Sequence, residues 1–363
     1  MANINVEFLG MELNSPFIVG SGPISYDAEG VIRAHKAGAG AVVTKTIRDN
    51  AAKNPYPHIS EAGNSTLINA EKWTDLKPTT WIEEEIPKIK NHSEDINLIV
   101  SLGHTPQEVQ NWVEKIEKAG ADAIEIVSYM EDSIVEMVQI AEENVDIPII
   151  LKVSPNWSNP VGTAVKCVNA GADAVTVMDS LGPVLEIDIH SARPIVAGEK
   201  GMGWMTGKGI RPLAQAIIAQ LAERIEVPII GLGGVMKAED AIKMLMVGSS
   251  LVGVCTSLLT HGVNYLDKLN EEIDKLMEEL GYDTIEQISG KAFENLPEKE
   301  NRKKFTFEFI ADKCIDCQRC VDLCPYNARK LENMNMELNE NKCRYCGYCA
   351  SVCPTDALNI INN

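Results

Sequence analysis

The tail of the chain constrains its fold more tightly than any other part. Cys314-x-x-Cys317-x-x-Cys320-x-x-x-Cys324-Pro325 recurs as Cys343-x-x-Cys346-x-x-Cys349-x-x-x-Cys353-Pro354. Three thiolates at three-residue spacing wrap one face of an iron–sulfur cube; the fourth lies too far round to close the same cube and ligates the other one. The pattern predicts one 4Fe–4S cluster on Cys314, Cys317, Cys320 and Cys353, and a second on Cys343, Cys346, Cys349 and Cys324. The other two of the ten cysteines, Cys167 and Cys255, stand alone in apolar segments. The count thus points to metal in a reducing compartment and away from a disulfide framework. Paired zinc sites are the alternative, but these use two Cys-x-x-Cys pairs or histidines across a longer loop, and no histidine follows His261. Paired clusters conduct electrons, so the module is expected to be a wire with a donor and an acceptor at its ends.

Residues 1–260 carry an internal echo. KAGAGAVVTKT (36–46) is answered by KAGADAIEIVS (118–128), NAGADAVTVMDS (169–180) and, more weakly, MVGSSLVGVCTS (246–257). Each reads as a helix end, a glycine turn and a short apolar strand. DIPIILKVSP and EVPIIGLGGV form a second echo. Strands are expected near 17–20, 41–45, 97–102, 122–127, 148–153, 173–178, 228–232 and 250–254, with amphipathic helices between them, for example 106–118 and 236–247. Strands apolar on both faces, alternating with helices, imply a parallel sheet. Eight such units in about 260 residues match a (β/α)8 barrel. A doubly wound sheet would have fewer strands and a Gly-x-Gly-x-x-Gly turn after the first. An acidic helical stretch (263–281) and a polar connector ending in Arg302, Lys303 and Lys304 follow. The expected division is a barrel with connector, 1–304, and a cysteine domain, 305–363.

The formal charge of −19 argues against a nucleic-acid partner. No run approaches the roughly 20 apolar residues of a membrane span, and the opening residues lack a basic, then apolar, leader. A cytoplasmic protein that could dock a basic partner is the expectation.

A wire needs a centre that exchanges single electrons with iron and pairs with a substrate, which flavin does and nicotinamide does not. Barrels commonly seat a phosphate after strands 7 and 8. Here strand 7 runs into Gly231-Leu232-Gly233-Gly234 and strand 8 into Cys255-Thr256-Ser257 and a helix start. Lys45 and Lys152 end barrel strands, either as cations beside an isoalloxazine or as lysines snorkelling to the rim.

NSPFIVGSGP (14–23), VTKT (43–46), LKVSPN (151–156), GKGIRP (207–212) and GLGG (231–234) resemble the class 1 dihydroorotate dehydrogenase family, and most closely its members with a C-terminal ferredoxin, the FMN and iron–sulfur part of dihydropyrimidine dehydrogenases. The resemblance implies a TIM barrel holding FMN, followed by a small α+β ferredoxin-like domain with two 4Fe–4S clusters. It implies Ser21, Gly22, Lys45, Thr46 and Lys152 along the flavin ring, and Gly203, Thr206 and Gly207 at its side chain. Gly233, Gly234, Cys255 and Thr256 would hold the phosphate, and Asn69 would grip a pyrimidine.

The loop after strand 4 departs from the family. Asn-x-Ser-Cys-Pro is replaced by Val127-Ser128-Tyr129-Met130-Glu131-Asp132, and the long lid that follows is absent. Val127 takes the place of the asparagine. Met130 cannot transfer a proton, which leaves Tyr129, Glu131 or Asp132, with Lys45 nearby, as candidate acids. After strand 6, Asp179-Ser180 replace Asn-Thr at the substrate face, so an acceptor-only carboxylate stands where an amide would. Three readings follow: an oxidoreductase for a divergent small substrate, a dihydropyrimidine or dihydroorotate dehydrogenase with a rearranged loop, or a non-catalytic electron-transfer subunit whose exposed flavin serves a partner protein or protein-bound cofactor. Without a nicotinamide-binding unit, electrons are expected to pass through an external NAD(P)H-oxidising flavoprotein subunit or a ferredoxin, within a homo- or hetero-oligomer.

Overall fold

The computed structural model describes residues 3–297, 299–300 and 305–361. The chain divides into two compact units, Met1–Glu294 and Asn295–Asn363; residues 302–304 of the expected connector lie outside the described residues.

The first unit is a closed, all-parallel barrel of eight strands: β1 Phe17–Val19, β2 Ala41–Val43, β3 Leu98–Leu102, β4 Ala123–Val127, β5 Ile149–Val153, β6 Ala174–Val177, β7 Ile229–Leu232 and β8 Leu251–Val254. Each pairs with its neighbours in chain order, and β8 closes on β1 through Val252↔Phe17 and Val254↔Val19. All five residues of β5 are buried, as in a strand covered on both faces.

The echo has a backbone cause. Gly38, Gly120, Gly171 and Gly248 all hold positive φ, +88°, +112°, +110° and +108°, the left-handed cap that ends a helix and that glycine adopts at least cost. The helix Pro106–Ala119 shows the whole device: the Thr105 hydroxyl accepts from the Glu108 N–H, Pro106 opens the first turn, and Gly120 closes the last. The other expected helices are Ala238–Met246 and Tyr265–Leu280.

Two long loops interrupt this plan at the C-terminal ends of β2 and β6. The first supplies strands Ile59–Glu61 and Thr66–Asn69, the second Leu181–Val184 and Gly203–Gly207, and together they form a four-stranded antiparallel sheet. After β4 the chain makes only a 3-10 turn, Glu131–Ser133, before the helix Ile134–Asn144.

The second unit repeats itself. The strand pairs Thr306–Phe309 with Leu358–Ile361 and Arg329–Glu332 with Asn335–Leu338, and the short helices Arg319–Asp322 and Tyr348–Ser351, follow the offset that carries Cys314 onto Cys343. Among the described residues no helix is long and apolar enough to cross a membrane.

Candidate functional site

At the C-terminal ends of the barrel strands lies a cavity of about 880 Å3. Ser21, Lys45, Thr46, Asn69, Val127, Tyr129, Lys152, Asp179 and Ser180 line it. A narrower cavity adjoins it, sharing Ser21, Asn69, Lys152, Asp179 and Ser180 and adding Thr206, Gly207, Gly233, Gly234, Cys255 and Thr256. Two of the positions expected at the flavin line neither. Gly22 packs where a Cβ would lie 2.8 Å from the Cys255 sulfur, and Gly203 faces the Thr66–Asn69 strand, where a Cβ would stand 2.7 Å from Ile68.

Both lysines are buried against carboxylates. Lys45 pairs with Glu71, just beyond the Thr66–Asn69 strand. The Lys152 ammonium stands 3.5 Å from Glu125 of β4. Burial works against the Lys152 charge, but Glu125 and Asp179 outweigh it and hold its pKa above the ordinary lysine value. Burial raises the Cys255 thiol, so it stays protonated. Ser21, Thr46 and Ser101 form a hydroxyl chain at 3.4 and 3.0 Å along the same wall. Asn69 accepts from the Glu71 N–H at 2.7 Å, which leaves its amide NH2 for a ligand.

Of the candidate acids after β4, only Tyr129 lines the cavity. Its ring stacks on Trp204, with centroids 5.9 Å apart and planes inclined by 18°, and meets His104 edge-on at 4.9 Å. Asp179 above all, with burial, raises the phenol's pKa, so the hydroxyl keeps its proton. Glu131 turns away. Its carboxylate accepts from the Ser158 N–H and hydroxyl, the Asn159 N–H and the Thr163 hydroxyl. Burial pushes that acid up, but these four donors outweigh it and bring it down to about 2. Glu131 thus binds the start of the helix Pro160–Asn169 and holds no transferable proton at neutral pH, while Asp132 is exposed.

His104, after β3, is a cavity residue that the sequence reading passed over. Burial, then Arg48, lowers its pKa, keeping the ring neutral. Nδ1 lies 3.1 Å from the Ser128 hydroxyl and 3.3 Å from the Tyr129 N–H, which fixes the ring's orientation in the wall. The available signal was Leu102-Gly103-His104 at a strand end: at Gly103 a Cβ would fall 2.1 Å from the Val127 carbonyl, so only glycine lets β3 and β4 approach there. Asn156 was also missed as a positioning residue. It clamps the loop after β6, donating to the Ser180 carbonyl and accepting from the Gly182 N–H, both at 2.9 Å.

In the second unit, Cys314, Cys317, Cys320 and Cys353 line one small apolar cavity, and Cys324, Cys343, Cys346 and Cys349 line another. Backbone N–H groups aim at sulfur in matched positions: Asp316 and Tyr345 at Cys314 and Cys343, Ala328 and Ala357 at Cys324 and Cys353, at 3.2–3.5 Å. Among the described residues, no three His, Cys, Asp or Glu converge to hold a single metal ion. Thiols ringing a cavity, with N–H donors behind them, fit a cube that occupies it.

The dihydroorotate dehydrogenase family profile matches residues 3–277. The chain belongs to this family. A 4Fe–4S dicluster domain matches residues 313–357. The chain is 31% identical to the dihydroorotate dehydrogenase B (NAD(+)) catalytic subunit of Thermococcus kodakarensis over 81% of its own length and 99% of the relative's. It is 31% identical to the Pyrococcus furiosus protein of that name over 80% and 99%. It is 24% identical to the NAD-dependent dihydropyrimidine dehydrogenase subunit PreA of Escherichia coli over 89% and 85%. The chain is an oxidoreductase of the iron–sulfur flavoprotein kind. The barrel also fits the family's flavin: a wide chamber walled by two charged lysines narrows to a glycine-lined pocket. There Gly233 and Gly234 hold φ of +129° and +75°, and a Cβ at Gly234 would collide with the Gly207 carbonyl at 2.6 Å.

Proposed function

We propose that this family member is the catalytic subunit of an oxidoreductase acting on a dihydropyrimidine-type substrate, with FMN in the barrel and two 4Fe–4S clusters in the C-terminal domain, 305–363. The observation that carries the proposal is the adjoining pair of cavities at the barrel mouth, with Lys45 and Lys152 in the wide one and Gly233, Gly234, Cys255 and Thr256 in the narrow one. Ser21, Thr46, Lys45 and Lys152 would line the ring, with Gly22 backing Cys255. Gly203, Thr206 and Gly207 would support the side chain, and the glycine pocket would take the phosphate. Bound there, FMN supplies two-electron exchange with the substrate and one-electron exchange with the clusters.

The chain's own residues supply the rest. Asn69 offers its amide donors, Ser180 a hydroxyl, and His104 a neutral ring. Tyr129 holds a proton at its hydroxyl, but the Asp179 carboxylate makes releasing it costly, so it serves as a fixed donor toward substrate. Lys45 and Lys152 are held by Glu71 and Glu125 as positioned cations. Lys53, Lys72 and Lys200 also line the wide cavity, against Asp179 and Glu199. In a chain of charge −19, a wall with three such lysines against two acids favours a carboxylated pyrimidine such as dihydroorotate over neutral dihydrouracil. Part of the wide cavity would be taken by the flavin ring, and a concave remainder walled by Tyr129, Trp204 and Asn69 supports a small substrate over a macromolecular one. The relatives are named as subunits, which supports a partner protein as the external electron carrier.

The test is anaerobic bleaching of the bound flavin by dihydroorotate, dihydrouracil and dihydrothymine. Dihydroorotate is expected to bleach fastest, and Tyr129→Phe to slow it by about tenfold to a hundredfold. Failure of all three compounds on flavin-loaded protein would overturn the substrate class.

A further inference from the structure

The two halves of the C-terminal unit differ in charge at a buried position. Arg329 opens the strand Arg329–Glu332, where the second half has Leu358 at the start of Leu358–Ile361. Leu358 lines the cavity of Cys314, Cys317, Cys320 and Cys353, whereas Arg329 lines that of Cys324, Cys343, Cys346 and Cys349. The Arg329 residue is only 7% exposed. Its guanidinium lies over the Phe307 ring, 4.0 Å from the centroid, and its Nε and Nη2 have no hydrogen-bond partner among the described residues.

Burying a guanidinium without a counter-charge is expensive, and a cation–π contact offsets only about 2 kcal/mol of such a cost. The group that is missing is an anion on the cavity side. A 4Fe–4S cube bound by four thiolates is a net anion in both redox states and gains another negative charge on reduction. We propose that Arg329 is the built-in counter-cation of the cluster on Cys324, Cys343, Cys346 and Cys349, and that it raises this cluster's reduction potential above that of its twin. The backbone donors to sulfur are matched between the halves, as described above. On the twin's side stand the Thr355 hydroxyl, 3.9 Å from the Cys353 sulfur, at the outer limit for such a bond, and Arg319, which lines that cavity but is exposed, so that solvent screens its charge while that of Arg329 is buried. The field of Arg329 also reaches Cys320 of the twin site, but the side chain lines only one of the two cavities. An electron entering the domain would therefore rest on the Arg329 side, giving the wire a preferred holding point.

The inference rests on the proposal that both cavities carry clusters. The experiment is a potentiometric titration of the anaerobic full-length holoprotein, read by electron paramagnetic resonance, for wild type, Arg329→Met and Arg329→Lys. Wild type is expected to show two resolved couples. Arg329→Met should lower the higher one so that the electron distribution between cubes changes by about tenfold, equivalent to about 59 mV for a one-electron couple, and Arg329→Lys should retain most of the separation. Unmoved couples in fully loaded Arg329→Met, or an equal shift of both, would overturn the assignment of Arg329 alone. Iron well below about eight atoms per wild-type chain would instead remove the two-cluster reading on which it stands.

Discussion

Glu131 and Tyr129 sit two positions apart and end up with opposite roles, and the difference is geometric. The turn after β4 sends the Tyr129 ring onto Trp204 in the cavity wall and the Glu131 carboxylate onto the start of the helix Pro160–Asn169. There it meets unpaired N–H groups and the positive end of the helix, where a carboxylate is favoured. Its folded pKa, about 2, lies below the ordinary 4.5. The stability it contributes is therefore present above about pH 4.5 and is lost as the pH falls from there toward 2. Glu131→Gln is expected to cost about 1 kcal/mol at pH 7, to close that gap progressively below pH 4.5, and to leave flavin bleaching unchanged. Denaturant unfolding followed by circular dichroism at several pH values checks this. A gap that widened on acidification would contradict the assigned role.

At the scale of elements, the glycine pocket after β7 and the added sheet over the mouth decide what the barrel can hold. Gly234 carries both constraints a turn can impose: φ of +75° and backbone atoms of Gly207 and Arg211 within 3 Å of any Cβ. Gly281, which ends the helix Tyr265–Leu280, has a similar φ of +78° with open space around it. Each substitution to alanine is expected to cost about 1–2 kcal/mol for the left-handed backbone. Only Gly234→Ala should also weaken flavin retention, measured as FMN released on dilution. Equal retention in both variants would show that the pocket does not hold the phosphate. The sheet built from the β2 and β6 loops explains how the mouth keeps a wall although the loop after β4 is short: Trp204 and Asn69, cross-strand partners in it, both line the cavity.

The whole molecule joins a barrel to a duplicated cysteine domain, and among the described residues neither unit offers a nicotinamide-binding strand, glycine turn and helix. The isolated chain is therefore expected to be reduced by NADH orders of magnitude more slowly than by its substrate, and addition of a flavoprotein or ferredoxin partner should restore the rate. Stopped-flow absorbance under anaerobic conditions tests this, and rapid NADH oxidation by the lone polypeptide would refute it. The acidic surface implied by a charge of −19 would steer a partner with a basic face, which makes the association rate fall as salt rises.

The features legible in the chain are those written in neighbouring residues. The left-handed glycines at helix ends mark successive βα units, and the spacing Cys-x-x-Cys-x-x-Cys-x-x-x-Cys-Pro brings three thiols to one small cavity and lends the fourth to the other, so the barrel and the cysteine module could be read directly. Pairing across long stretches of chain could not. Lys45 with Glu71, Lys152 with Glu125, His104 beneath Tyr129, Glu131 on the Ser158–Asn159 turn and Arg329 over Phe307 are contacts between elements that no local pattern announces. Local backbone preference determines where strands, caps and ligand spacings fall. The partner that each buried charge meets, and with it the charge state and reach of every group at the mouth, depends on which distant elements the closed barrel brings side by side.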